Sequence, residues 1–206
     1  QQQLSGVALA IPFTKTVTVA PAAPNDRPVT VEFVRHQCHV PDESQDTLLG
    51  LLIDAATNYV ETAGRLILCP QTIRVEFERF PCGNAKLVLP YGPVRNSVTL
   101  QYHDTDGNWT TLSTKQEWLT GNPPVLAPAY TENWPATRPL VLPAVRATYE
   151  CGFASVGVIP AALRNAVAMI AKLTYENPEG WNRAGELQIP LVVNQFIASQ
   201  SLRGYP

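Results

Sequence analysis

Charge is scarce in this sequence, and so are the residue patterns that catalysis needs. Only 16% of the 206 residues are Asp, Glu, Lys or Arg, where an average soluble domain carries about a quarter. The 15 basic and 17 acidic residues nearly cancel. That excludes the broad basic face with which a free-standing nucleic-acid binder neutralises phosphates. Cys38, Cys69, Cys82 and Cys151 stand far apart with no CxxC pair, so zinc-ribbon and thioredoxin-type motifs are absent. Reduced, mostly buried thiols in a cytosolic setting are expected. No apolar run reaches bilayer-spanning length, and no basic stretch followed by a hydrophobic core opens the chain. A soluble protein, not exported by that route and not in a membrane, is expected.

Catalytic motifs fail one by one. Gly152-Phe153-Ala154-Ser155-Val156-Gly157 resembles a nucleophile elbow but has one residue too many before the serine. The only histidines, His36, His39 and His103, all precede it, whereas that elbow needs one after the nucleophile. A glycine-bounded loop between strand and helix is the simpler reading. His36, Cys38 and His39 fit no zinc-ligand spacing and have no second half, so the two histidines read as residues on the wet side of a short helix. Glu76 and Glu78 alternate with apolar residues, as on the solvated face of a strand. No Gly-rich phosphate loop is present. Trp109, Trp118 and Trp134, with Tyr91 and Tyr130, would suit a platform for sugars, or else packing between strands. Neither a catalytic residue, nor a metal ligand, nor a cofactor is expected, and a function in binding and assembly is.

What is present is hydrophobicity, 45% of residues, in a chain long enough to bury roughly 70% of its extended surface. With so little charge, part of its surface suits contacts with copies or partners. The organising stretch runs from Asp42 to Arg65. Asp42 and Gln45 form a capping box, and Gly64 suits the left-handed residue ending the helix. Leu48, Leu52, Ala55, Ala56, Tyr59 and Ala63 fall on one side, and Leu49, Ile53 and Val60 extend it. Gly50, Asp54, Thr57, Asn58 and Glu61 leave only a narrow polar stripe. Such a helix is either central to the core or shared with a neighbouring subunit.

Around it, residues 1–28 read as a proline-broken arm with a short strand at Phe13, Val17 and Val19. Thr30 caps a short helix to His39, with Phe33, Val34 and Cys38 on its apolar side. Period-two alternation predicts strands at Ile73 to Phe77, Lys86 to Leu89, Val98 to His103 and Trp109 to Leu112. The last two are joined by Asp104-Thr105-Asp106-Gly107-Asn108. The proline-dense stretch from Gly121 to Pro143 reads as a long loop with an edge strand near Val125. Val145 to Cys151 is one more strand, stopped by Gly152. A helix follows from Pro160 to Asn177, with Leu163, Ala166, Val167, Ile170 and Leu173 as its stripe and alanines that admit a close neighbour. A final helix covers Leu191 to Ser201. The fold class is α+β. Its expected parts are an arm (1–28), a helical core (29–66), an inserted antiparallel β-rich subdomain (67–158) and a second helical part with a C-terminal tail (159–206).

The order of signatures resembles the head-tail connector, or adaptor, proteins of tailed double-stranded DNA bacteriophages in their longer form. The residues that carry it are Tyr59-Val60-Glu61 with Gly64-Arg65, the strand Thr72 to Phe80, and Leu89-Pro90 with Pro93-Val94 and Ser97-Val98. Asp104-Thr105-Asp106-Gly107, Asn133-Trp134-Pro135, Val145 to Gly152 and the Pro160 to Asn177 helix complete it. The resemblance spans about residues 28 to 200, and the N-terminal arm departs from shorter members. It implies a structural virion protein: a homo-oligomeric ring of twelve copies under the portal protein, in the neck. Assembly would take place in the host cytoplasm, and a tail-side neck or tail-completion protein would be a further partner. Double-stranded DNA would pass through the channel without sequence-specific binding. It also implies a subunit interface at Leu48, Leu49, Leu52, Ile53, Ala56, Tyr59 and Val60. Portal contact would fall to the segment 187–206, through Leu187, Ile189, Leu191, Val192, Phe196, Ile197, Leu202, Arg203 and Tyr205.

Overall fold

The computed structural model describes residues 13–19, 27–96, 98–112, 116–119, 123–129, 132–138, 141–178 and 189–201. Among these residues there are eight strands: β1 (Phe13–Val19), β2 (Gln71–Phe77), β3 (Leu87–Val88), β4 (Thr99–His103), β5 (Trp109–Thr111), β6 (Gln116–Leu119), β7 (Val125–Pro128) and β8 (Val145–Cys151). The helices are α1 (Val31–Gln37), α2 (Asp46–Gly64), α3 (Ala161–Glu176) and α4 (Leu191–Gln200). This is the expected α+β order, with one strand, β6, that alternation did not reveal. The chain divides into two compact units, one holding the strands and one the helices, and it passes between them at 20–21, 70–71, 151–152 and 201–202.

In the sheet unit, a five-stranded antiparallel sheet runs in the order β1-β2-β8-β4-β5, and a three-stranded one in the order β3-β7-β6. Alternation dictates its register. Ile73 lies opposite Tyr149, Val75 opposite Ala147 and Phe77 opposite Val145, and all six are buried. A slip of one residue would turn the whole set to water. Residues 13–19, expected within an arm, form the edge strand β1 along β2, with Phe13 opposite Phe77. On the other face the register partners Glu76 and Arg146 form a 2.9 Å ion pair. The Arg146 guanidinium lies 4.0 Å from the Trp109 ring centroid.

The β4–β5 turn is held by one carboxylate. Asp104 accepts hydrogen bonds from the backbone N–H of Asn108 (2.9 Å) and Asp106 (3.0 Å) and from the Thr110 hydroxyl (3.0 Å), while Gly107 supplies the positive φ of 90°. These bonds, led by that from Asn108, hold the Asp104 carboxyl below its ordinary range. A lowered folded pKa means that the contribution to stability is present above the unfolded value, about 3.9. It is lost as pH falls through the folded value. In an NMR titration the Asp106 and Asn108 amides should therefore move with a midpoint below about 3.9; a midpoint at or above it would contradict this geometry.

In the helical unit, the Thr30 hydroxyl caps α1 by accepting from the Phe33 N–H at 3.2 Å. The helix stops at Gln37, short of His39, because His39 adopts the left-handed conformation (φ 56°). The expected capping box is corrected at α2. Asp42 caps a 3-10 turn over Glu43–Gln45 through the Ser44 N–H, α2 proper begins at Asp46, and Gln45 accepts from the Tyr175 hydroxyl at 2.8 Å. At the other end Arg65, not Gly64, takes the left-handed position (φ 53°). A Cβ at Gly64 would lie 3.3 Å from a Leu66 methyl and 3.4 Å from an Ile197 methyl, so the glycine sits closely packed on these two side chains. Most of the α3 stripe behaves as its spacing predicts: Leu163, Ala166, Val167 and Ile170 are buried, and so are Ala168 and Ala171, while Leu173, in the last turn, is half-buried. From α4, Val193 and Ile197 are buried.

Candidate assembly surface

An amphipathic helix normally turns its polar stripe to water. In α2 much of that stripe is engaged by its own chain. The Arg27 guanidinium lies over Gly50, 3.1 Å from where a Cβ would stand, and grips both Asp54 oxygens at 2.7 and 2.8 Å. Arg35 holds both Asp46 oxygens at 2.9 and 2.5 Å. These bonds raise the pKa of both guanidinium groups. Glu61 is buried because its carboxylate accepts the Leu68 N–H at 2.8 Å; a buried carboxylate lacking such bonds would cost several kcal/mol.

The apolar circumference is then split. Leu49, Ile53, Ala56 and Val60 are buried within the subunit. Leu48 (47% exposed), Leu51 (62%) and Tyr59 (40%) face outward, with exposed Ala55 and half-buried Leu52 between them. At about 100° per residue these five span an arc of about 100° on the back of the helix. These side chains form an exposed, mostly apolar back on the helix. The seven residues expected to meet a neighbouring subunit therefore divide. Leu49, Ile53, Ala56 and Val60 are spent on the chain's own core, and Leu48, Leu52 and Tyr59 remain available. Leu51 and Ala55 complete the surface. Leu51 belonged to neither stripe in the sequence, because it lies on the far flank of an almost wholly apolar cylinder.

The segment expected to meet a portal divides likewise. Leu191 (80% exposed) and Val192 (38%) face outward and Phe196 and Ile189 are half-buried, whereas Ile197 is buried in the helical unit. Leu187, Leu202, Arg203 and Tyr205 lie outside the described residues. A truncation that removed the whole tail from 187 would strip Val193 and Ile197 from the core, so it would not spare folding.

The described tryptophans form no platform. Trp134 is buried, stacked on Phe80 (centroids 4.8 Å apart, planes 6° apart), and its indole N–H donates to the Ala85 carbonyl at 2.7 Å. Trp109 is covered by Arg146 and by His103, whose ring centroid is 3.9 Å away. The Trp118 side chain and Tyr130 lie outside the described residues. Trp109 and Trp134, two of the five rings of the carbohydrate-platform alternative, are thus taken up by the protein's own packing, and nothing in the structure supports that alternative. Among the described residues, no group of three His, Cys, Asp or Glu is placed to hold a metal, and no helix is long and apolar enough to cross a membrane. His36 lies beside Glu32 rather than with Cys38 and His39 in a ligand set.

No family model matches the sequence, and no curated protein matches it significantly. Solved structures do. A chain from the neck of the empty gene transfer agent particle, computed with C6 symmetry, superposes with a TM-score of 0.71 over 94% of this chain and all of that one, at 19% identity. A chain from the virion of the native gene transfer agent particle gives 0.70 at 19% identity with the same coverage. One from the neck of the native particle, computed with C12 symmetry, gives 0.67 at 21%. The fold is thus that of chains in the neck of phage-like particles. At these identities the likeness is one of fold, and it extends over nearly the whole chain.

Proposed function

We propose that this protein is a structural head-tail connector of a phage-like virion, without a catalytic step of its own. It forms a ring under the portal that prolongs the DNA channel towards the tail. The apolar back of α2 carries this reading: Leu48, Leu51, Leu52, Ala55 and Tyr59 are left by the subunit for something else to cover. Neighbours of the same fold come from necks computed with C6 and C12 symmetry, and a ring of twelve copies fits both. Each copy would cover the α2 back of the next. Leu191 and Val192, outward on α4 and beside the C-terminal segment, suit the portal contact. The near-neutral charge balance suits a channel through which DNA must slide, since a strongly basic lining would retain it. The virion neck is then the protein's destination, after assembly in the host cytoplasm, with a tail-side neck protein bound beneath.

Electron microscopy of the purified protein, alone and mixed with the portal of its own particle, tests the reading. Rings, or a ring bound to portal, are the expected result. A strict monomer that ignores portal at all concentrations would overturn it. A Leu191→Asp/Val192→Asp variant should still form rings yet lose portal binding, and unchanged docking would reject the α4 assignment alone.

A further inference from the structure

A contact that repeats around a ring is head-to-tail and joins two different patches of the same chain. The α2 back supplies one of them. Building on the ring reading above, we propose that the other is a cavity beside α1 and α3, over which the α2 back of the next copy docks.

This cavity, of about 330 Å³, lies wholly within the helical unit and is lined by Pro28, Val29, Phe33, Val156, Ala161 and Arg164 among others. Its mouth is apolar and open. Phe33 is 44% exposed, and Val158, on the adjoining 3-10 turn, is 60% exposed. Its polar side is positive: the Arg164 Nε is buried without a hydrogen-bond partner. Residue 161, in the cavity lining, begins a 16-residue helix with no side-chain cap and no acidic residue in its first turn, so the positive end of the helix dipole lies at the same region.

The α2 back complements this surface in both respects. It offers an apolar ridge and, just before the helix, the well-exposed carboxylate of Glu43, the helix's own Asp46, Asp54 and Glu61 being held by Arg35, Arg27 and the Leu68 N–H. Two other partners fit less well. The Leu191 and Val192 patch lies on a helix without a charged residue, so it offers no complement to Arg164. A symmetric α2-to-α2 contact would close as a dimer rather than continue round a ring.

Complementation tests the pairing. Leu51→Asp removes the ridge, while Phe33→Asp, or Ala161→Trp as a second variant that fills the cavity, removes the socket. All three sites are exposed, and circular dichroism checks folding. In sedimentation velocity over a concentration series up to the solubility limit, the wild type should self-associate. Each variant alone should associate about tenfold more weakly or not at all. An equimolar mixture of Leu51→Asp with a socket variant should give a 1:1 dimer and nothing larger, because one ridge and one socket remain intact. If both socket variants assemble like wild type, the cavity proposal falls and the α2 interface stands. Loss of assembly in each variant without rescue on mixing overturns the ridge-to-socket pairing. A wild type that stays monomeric, or a Leu51→Asp variant that assembles normally, overturns the α2 interface together with the cavity.

Discussion

Leu49→Asp will unfold the helical unit, whereas Leu51→Asp, two positions along the same helix, will leave its stability nearly unchanged. Leu49 is fully buried. Removing it forfeits the transfer and cavity energy of a core leucine, about 2–5 kcal/mol, and adds a carboxylate with no partner, a further several kcal/mol. Together these approach the whole stability of a typical domain, about 5–15 kcal/mol. Leu51 is 62% exposed, and substitutions at such sites usually stay within about 0.5 kcal/mol, or about 1–2 °C for a chain of this size. Circular dichroism during urea denaturation measures both. Should Leu51→Asp also unfold the monomer, the outward placement of the α2 back would be wrong, and with it the physical basis of the ring.

Gly152→Ala is expected to have the second-largest effect. Gly152 ends β8 with φ at 111°, and a Cβ there would stand 2.4 Å from the Cys69 carbonyl oxygen and 2.7 Å from its carbon. These are backbone atoms, so no side chain can swing aside. The same place is tied by the Phe153 N–H donating to the Leu68 carbonyl at 3.2 Å, which any relaxation would stretch. Conformational strain of about 1–3 kcal/mol adds to the cost of displacing the chain. A loss of about 3 kcal/mol or more is expected, or about 6–12 °C in Tm. Gly83→Ala is the control. Its φ is 62° and nothing lies within 4 Å of its Cβ position, so only the left-handed penalty of about 1–2 kcal/mol applies. Equal losses at the two glycines would mean that the contact with Cys69 counts for nothing.

Much of the fold was legible because it depends on local periodicity. Ile73, Val75 and Phe77 alternate, and they form one buried face; Leu163, Ala166, Val167 and Ile170 recur at helical spacing, and they are the core of α3. β6 was not legible, because its four residues, Gln116–Leu119, are too few to show a period. Trp134 was legible only as an aromatic. Its role depends on Phe80 and Ala85, about fifty residues away, and no spacing rule connects them.

The sequence by itself determined that α2 is apolar over most of its circumference and that no motif for catalysis or metal binding is written into the chain. The tertiary structure decided which apolar residues are core and which are surface. Hydrophobic spacing gives a helix its greasy arc but not the direction from which other elements approach. That direction was set when Arg27 and Arg35 claimed Asp54 and Asp46, and when the chain after the helix supplied the Leu68 N–H to Glu61. Polar side chains need partners of fixed geometry and apolar ones need only company, so the few polar residues oriented the helix and left Leu48, Leu51 and Tyr59 facing out.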